Sequence, residues 1–182
     1  MTKYDSIVGD GDCGTGLKRG ADGILKLLER TDISDDAVVT LSKIVQVVEN
    51  TMDGTSGALY AIFLNALAHN LRSQDTSSPK AVTPQIWAKA LRLSSENLGK
   101  YTPARPGDRT LVDALAPFVE TLDKAGNVKE AAAAAKKGAE STKDMKASLG
   151  RSVYVGGDSW QGVPDPGAHG LSEFLFGLAD GL

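Results

Sequence analysis

The sequence predicts an all-α protein, and three features of it point that way. Aromatic residues make up only 5% of the 182 residues while alanine and leucine are plentiful, which suits packed helices better than a β-sandwich. Apolar residues recur at three- and four-residue spacings in one segment after another. Capping residues, prolines and glycine-rich stretches fall between those segments, where helices start and stop.

Taken in order, residues 16–29 read as the first helix, and residues 31–36 as a polar connector rich in capping residues. Val38, Leu41, Ile44, Val45 and Val48 then follow helical spacing, although their β-branched content keeps a strand in competition. Met52-Asp53-Gly54-Thr55-Ser56-Gly57 is a small-residue loop that runs into a long apolar helix over residues 58–71. Residues 73–79 form a polar connector. Thr83 with Pro84 gives a cap followed by proline at the first helical position, opening a helix in which Trp87, Leu91, Ser94 and Ser95 mark a core face. The chain breaks over residues 100–107, and a helix kinked by Pro117 begins at Asp108-Arg109-Thr110. Asn127 caps an alanine-rich run to about residue 146, read as helix propensity alone. A mixed loop over residues 150–167 precedes a last helix over residues 168–179.

Composition narrows the function classes. A net charge of −3 and a pI near 5.4 argue against a nucleic-acid binder or a polybasic membrane surface. No apolar run reaches the roughly eighteen residues a spanning helix needs, and no hydrophobic signal region opens the sequence, so a soluble, cytoplasmic protein is expected. Cys13 is the lone cysteine, which excludes an internal disulfide framework. A catalytic thiol would need a histidine and an orienting group, and neither His69 nor His169 has a recognisable setting.

The informative stretch is Asp5-Ser6-Ile7-Val8-Gly9-Asp10-Gly11-Asp12-Cys13-Gly14-Thr15. Three carboxylates crowd into eight residues, and their mutual repulsion calls for a cation. Gly9, Gly11 and Gly14 supply backbone freedom, and the following helix presents its N-terminus, an arrangement suited to a metal-bound polyphosphate. Solvated glycine-aspartate turns are the plain alternative, and a calcium EF-hand fits poorly because its spaced ligands and distal glutamate are missing. Thr55 and Ser56 stand in the first turn of their helix, where phosphate binding and simple N-capping are both open. The unusual loops fall on alternate connections, which share one end in an up-and-down antiparallel bundle.

With these segments assembled, the chain resembles the C-terminal ATP-binding domain of dihydroxyacetone (glycerone) kinases, also found as a separate L subunit in bacteria. The motifs are Asp5-x4-Asp10-Gly11-Asp12-Cys13-Gly14-Thr15, Met52 to Tyr60, Gly107 to Leu115, Gly150 to Tyr154 and Asp165-Pro166-Gly167-Ala168. The resemblance implies a closed antiparallel barrel of eight helices with Mg-ATP or ADP at one end. It implies two Mg²⁺ ions on Asp5, Asp10 and Asp12, and phosphate contacts from Cys13, Gly14, Thr15, Gly16, Thr55 and Ser56. Arg109, Thr110, Arg151, Asp165, Pro166 and Gly167 would close over the nucleotide, with Asp10 and Arg151 in catalytic roles. Gly16 departs from the threonine or asparagine often found there.

The resemblance further implies a first helix before Asp5, of which Met1 to Tyr4 would be a stub, and a substrate domain absent from this chain. The expectation is one nucleotide-binding domain over residues 1–182, N-terminally truncated, donating phosphate to dihydroxyacetone or glyceraldehyde held by a kinase domain of the same full-length chain or another subunit. A homodimer of the full-length enzyme is also implied. A non-catalytic nucleotide- or metal-binding module is the alternative, and the flavin-nucleotide cyclisation of single-chain relatives is a side activity the sequence does not address. Without its first helix the barrel would leave Asp5 poorly fixed and Ile24, Leu25, Leu28, Leu171, Leu175 and Leu178 lining a gap.

Overall fold

The computed structural model describes residues 1–74 and 81–182. Among these residues there are eight α-helices: α1 (Thr2–Val8), α2 (Cys13–Leu28), α3 (Ala37–Thr51), α4 (Gly54–Gln74), α5 (Pro84–Leu98), α6 (Val112–Ala125), α7 (Val128–Ser141) and α8 (Pro166–Asp180). Two short 3-10 turns, Thr142–Asp144 and Arg151–Tyr154, complete the regular structure, and no strand occurs among the described residues. The all-α expectation therefore holds. Of the polar connector expected over residues 73–79, positions 75–79 lie outside the described residues. No described helix is long and apolar enough to cross a membrane.

The chain forms two compact units, one of residues 15–101 and one of residues 1–14 with 102–182. In the first, α3 packs on α4 and α4 on α5. The strand alternative for residues 38–48 fails because Asp36 accepts from the Val38 and Val39 N–H groups at 2.8 and 3.0 Å and starts a helix that buries Leu41, Val45 and Val48 along one stripe. Leu41, Leu67, Ala68, Leu71 and Ala90 form the core, with Trp87 and Leu91 against it as the sequence suggested. One polar pair is sealed inside, with Asn70 Nδ2 donating to Ser94 Oγ at 3.0 Å while that hydroxyl donates to the Ala90 carbonyl. Both partners are satisfied, so their burial carries no unpaired group.

In the second unit α6, α7 and α8 pack against one another and α1 packs on α8. The alanine run does more than favour helix. Ala131, Ala135 and Ala139 repeat every four residues and are buried, so α7 presents a flat face to its neighbours. Gly138 deepens that approach: a Cβ there would collide with the Asp113 carbonyl of α6. Gly126, in the left-handed region at φ 63°, ends α6, and Asn127 at once caps α7 with bonds to Lys129 N and Glu130 N.

Two expectations about the N-terminal end need correction. Residues 2–8 form a helix, and Asp5 is well fixed in it at 6% exposure, because α1 packs on α8 and Tyr4 meets the His169 ring edge-on at a centroid distance of 5.0 Å. The six residues expected to be left partly wet also differ from one another in exposure. Leu171 and Leu175 are buried where α8 meets its neighbours, Ile24 is half-buried, and only Leu25, Leu28 and Leu178 remain exposed.

Candidate functional site

The end of α1, the turn after it and the first residues of α2 bring the three carboxylates together. Asp5, Asp10 and Asp12 each place one oxygen such that all three lie within 4.8 Å of one another. Glycines make the turn possible in two ways. Gly11 takes φ 82°, which side-chain-bearing residues rarely adopt, whereas Gly9 and Gly14 are needed for space: a Cβ would collide with the Asp5 carboxylate at the first and with the Thr2 side chain at the second. The Asp5 Oδ2 also accepts from Cys13 N at 2.9 Å, capping α2 from outside and starting that helix three residues earlier than the sequence suggested. The Cys13 N–H thus serves the carboxylate, while Thr15 is exposed and Gly14 and Gly16 are half-buried in the helix's opening turn. Nothing lies within 4 Å of a Cβ built on Gly16, so a side chain would be accommodated there.

The carboxylates differ in their surroundings. Asp10 and Asp12 are exposed, and Arg151 Nη1 pairs with Asp10 Oδ2 at 2.8 Å. Ser152 Oγ donates to the Val8 carbonyl at 2.8 Å, fastening the Arg151–Tyr154 turn to the end of α1. The negative charge of Asp10, then desolvation, holds the Asp12 carboxyl above the usual carboxylate range, with Arg151 acting in the opposite direction. Three hard oxygen donors under mutual repulsion fit a hard divalent cation such as Mg²⁺.

The motif at residues 107–110 is built around a residue the sequence reading passed over. Asp113 accepts from Gly107 N on Oδ1 at 2.6 Å and from Thr110 N on Oδ2 at 2.8 Å, so a buried carboxylate in the first turn of α6 shapes the loop ahead of it. Its position there, favourable to an acid, was the one available signal. Arg109 sits at φ 59° and is 1% exposed. Its guanidinium turns inward: Nε donates to Thr142 O at 3.1 Å, Nη2 to Val163 O at 2.8 Å, and the group lies 5.8 Å from the Trp160 ring centroid. Burial lowers its pKa, opposed by the charge of Asp165. Arg109 therefore ties segments of its own unit together from the inside.

Asp165 caps α8, accepting from Ala168 N at 2.8 Å, while its own N–H donates to Thr142 Oγ1 at 2.8 Å. Burial pushes its carboxyl up to about 6, and the bond from Ala168 and the Arg109 charge recover only part of that shift. Pro166 occupies the first turn of α8, and Gly167 lies against Leu111, bringing the segments at 107–111 and 165–167 into contact. In the other unit, Gly54 at φ 67° opens α4, with Thr55 exposed and Ser56 half-buried in the first turn.

Residues 7–180 match the model of the DAK2 domain. The chain belongs to the DAK2 domain family. Among curated relatives, this DAK2 domain is 46% identical over 190 residues to "Dihydroxyacetone kinase" of Pichia angusta, covering 99% of this chain and 31% of that protein. It is 35% identical over 196 residues to "Triokinase/FMN cyclase" of Homo sapiens, covering 100% of this chain and 32% of that one. The chain thus spans about a third of the length of the curated relatives it matches. Among solved structures, the native dihydroxyacetone kinase of C. freundii matches with a TM-score of 0.79 and 29% identity over 100% of this chain and 31% of that chain. The same kinase in complex with AMP-PNP and Mg2+ matches with a TM-score of 0.77 and 28% identity, over 100% and 30%.

Proposed function

We propose that this DAK2 domain is the Mg-ATP-binding, phosphoryl-donating domain of a dihydroxyacetone or glyceraldehyde kinase, passing the γ-phosphate of ATP to an acceptor hydroxyl held by a separate domain. The convergence of Asp5, Asp10 and Asp12 within 4.8 Å, with Arg151 on Asp10, carries the reading. Kinship with dihydroxyacetone kinases, one of them solved with AMP-PNP and Mg2+, supports it.

Asp5, Asp10 and Asp12 are the residues that would hold two Mg²⁺ ions, which when bound neutralise charge on the phosphoryl group. The chain's own groups do the positioning. Asp5, buried and bonded to Cys13 N, keeps its carboxylate at a fixed place beside Cys13. The opening turns of α2 and α4, carrying Gly14, Thr15 and Gly16 and Thr55 and Ser56, offer N–H groups to phosphate oxygens. Arg151, exposed and held beside Asp10 by the Ser152 anchor, is placed to offset developing charge on the transferring group. Thr110 and Asp165-Pro166-Gly167 would be the nucleotide-closing segments, and Arg109 ties the loop ahead of α6 to Val163 in the loop ahead of α8. The proposal extends to residues 1–182 as one nucleotide-binding domain, to a cytoplasmic setting where ATP is at hand, and to a full-length homodimer whose kinase domain supplies the acceptor.

Calorimetric titration with AMP-PNP and Mg²⁺ tests the site. Binding should require Mg²⁺ and be lost in Asp10→Ala; unchanged affinity in that variant removes the metal assignment. A non-catalytic module is separated by a full-length chimera in which this chain replaces the matching third of the P. angusta kinase. The chimera should phosphorylate dihydroxyacetone, and binding without turnover would favour the module.

A further inference from the structure

Within the unit of residues 15–101, Arg19 sits in the second turn of α2 and reaches the turn that opens α4. Its Nε donates to the Thr51 carbonyl at 3.0 Å, and its Nη2 pairs with Asp53 Oδ2 at 2.5 Å. Glycines bring these backbones into range. A Cβ on Gly20 would stand 2.7 Å from Met52 Sδ, and one on Gly57 would collide with the Met52 carbonyl. Met52, buried at 7% exposure, is therefore a peg between α2 and α4, and Arg19 is a clasp beside it.

α2 and α4 are the helices whose opening turns carry Thr15 and Gly16 and Thr55 and Ser56. We propose that Arg19 is a positioning residue for nucleotide binding: by holding both Thr51 and Asp53 it fixes the amino end of α4 against α2, and so sets the spacing of the two phosphate-facing helix ends. The inference rests on the nucleotide-binding reading above. Two helix ends act together on one polyphosphate only if their spacing is fixed beforehand, since a loose turn must be ordered at the moment of binding. The planar fork of arginine meets the carbonyl and the carboxylate at once, which a lysine ammonium does not. Both side chains are at least half exposed, so the pair adds little to global stability, and its value lies in local geometry.

The test compares Mg²⁺-AMP-PNP titrations of the wild-type chain with those of Arg19→Ala, Arg19→Lys, Asp53→Ala and the double alanine variant, alongside Mn²⁺ alone followed by electron paramagnetic resonance. Arg19→Ala should weaken nucleotide binding about two- to fivefold, the worth of an exposed ion pair, with its melting temperature and Mn²⁺ affinity unchanged. Arg19→Lys and Asp53→Ala should each lose part of that, and the double variant no more than Arg19→Ala, because both changes break one clasp. Wild-type nucleotide affinity in Arg19→Ala overturns the proposal, as does an equal loss of Mn²⁺ binding. If the wild-type chain itself fails to bind Mg²⁺-AMP-PNP, the nucleotide reading falls and takes the clasp with it.

Discussion

Replacing Asp165 by Asn is expected to stabilise the protein at neutral pH. The carboxyl is buried at 9% exposure, and burial raises it from 3.8 to about 6 despite the Ala168 bond and the Arg109 charge. Because the folded pKa lies above the unfolded one, the folded state binds the proton more tightly. Below about pH 4 both states are protonated and nothing is lost; as pH rises from there to about 6, stability falls, and above 6 the penalty is complete. At roughly 1.4 kcal/mol per pH unit across that window, the penalty is about 3 kcal/mol. Asparagine keeps an oxygen for the Ala168 N–H and ranks with aspartate as a cap, but does not ionise. Urea unfolding of both proteins between about pH 4 and pH 7 should show near-equal stability at the acid end and a widening advantage for Asp165→Asn toward neutrality. Parallel profiles, or a variant less stable near pH 7, would refute the reasoning and show that the ionised carboxylate is satisfied in the fold.

Two further predictions concern the frame around the site. Asp113→Ala removes the acceptor for both Gly107 N and Thr110 N, and should cost about 2 kcal/mol by urea midpoint, since one of these donors sits on an exposed residue that water can serve. Two glycine replacements should part company: Gly138→Ala forces a methyl into the Asp113 carbonyl and should lower stability by about 1–3 kcal/mol, whereas Gly16→Ala, with open space and ordinary helical backbone, should hold or raise the melting temperature.

Most of the helices were legible because their signals are local. Thr83 with Pro84, Asp36 and Asn127 cap helices as their sequence positions suggested, and periodic apolar residues supply the faces. Tertiary partners decided the rest. α1 has seven residues and no side-chain cap, too little for periodicity to show, and its packing on α8 becomes visible only in three dimensions. The alanine run carried propensity in its composition, but its burial depends on α6 coming within reach of Gly138. Arg109 reads as a ligand contact in any glycine-rich loop. Its inward turn is set by a left-handed backbone and by carbonyls at Thr142 and Val163, which local sequence does not connect to it.

The carboxylate cluster was legible as residue types and spacing, while its inequality was not. Asp5 is held in a helix and offset by a peptide N–H, Asp10 is offset by a guanidinium arriving from residue 151, and Asp12, which feels that guanidinium only weakly, shows the raised affinity for protons. The supports are thus graded from the buried side outward. Three carboxylates against one arginine leave negative charge in excess, which divalent cations would offset, a second one being accommodated as polyphosphate oxygens add negative charge of their own. A structural cluster would bring paired cations from its own chain, since unpaired like charges at these distances destabilise the fold. Here the chain supplies one, and leaves Asp10 and Asp12 facing solvent, where a cation of the right charge and hardness can arrive.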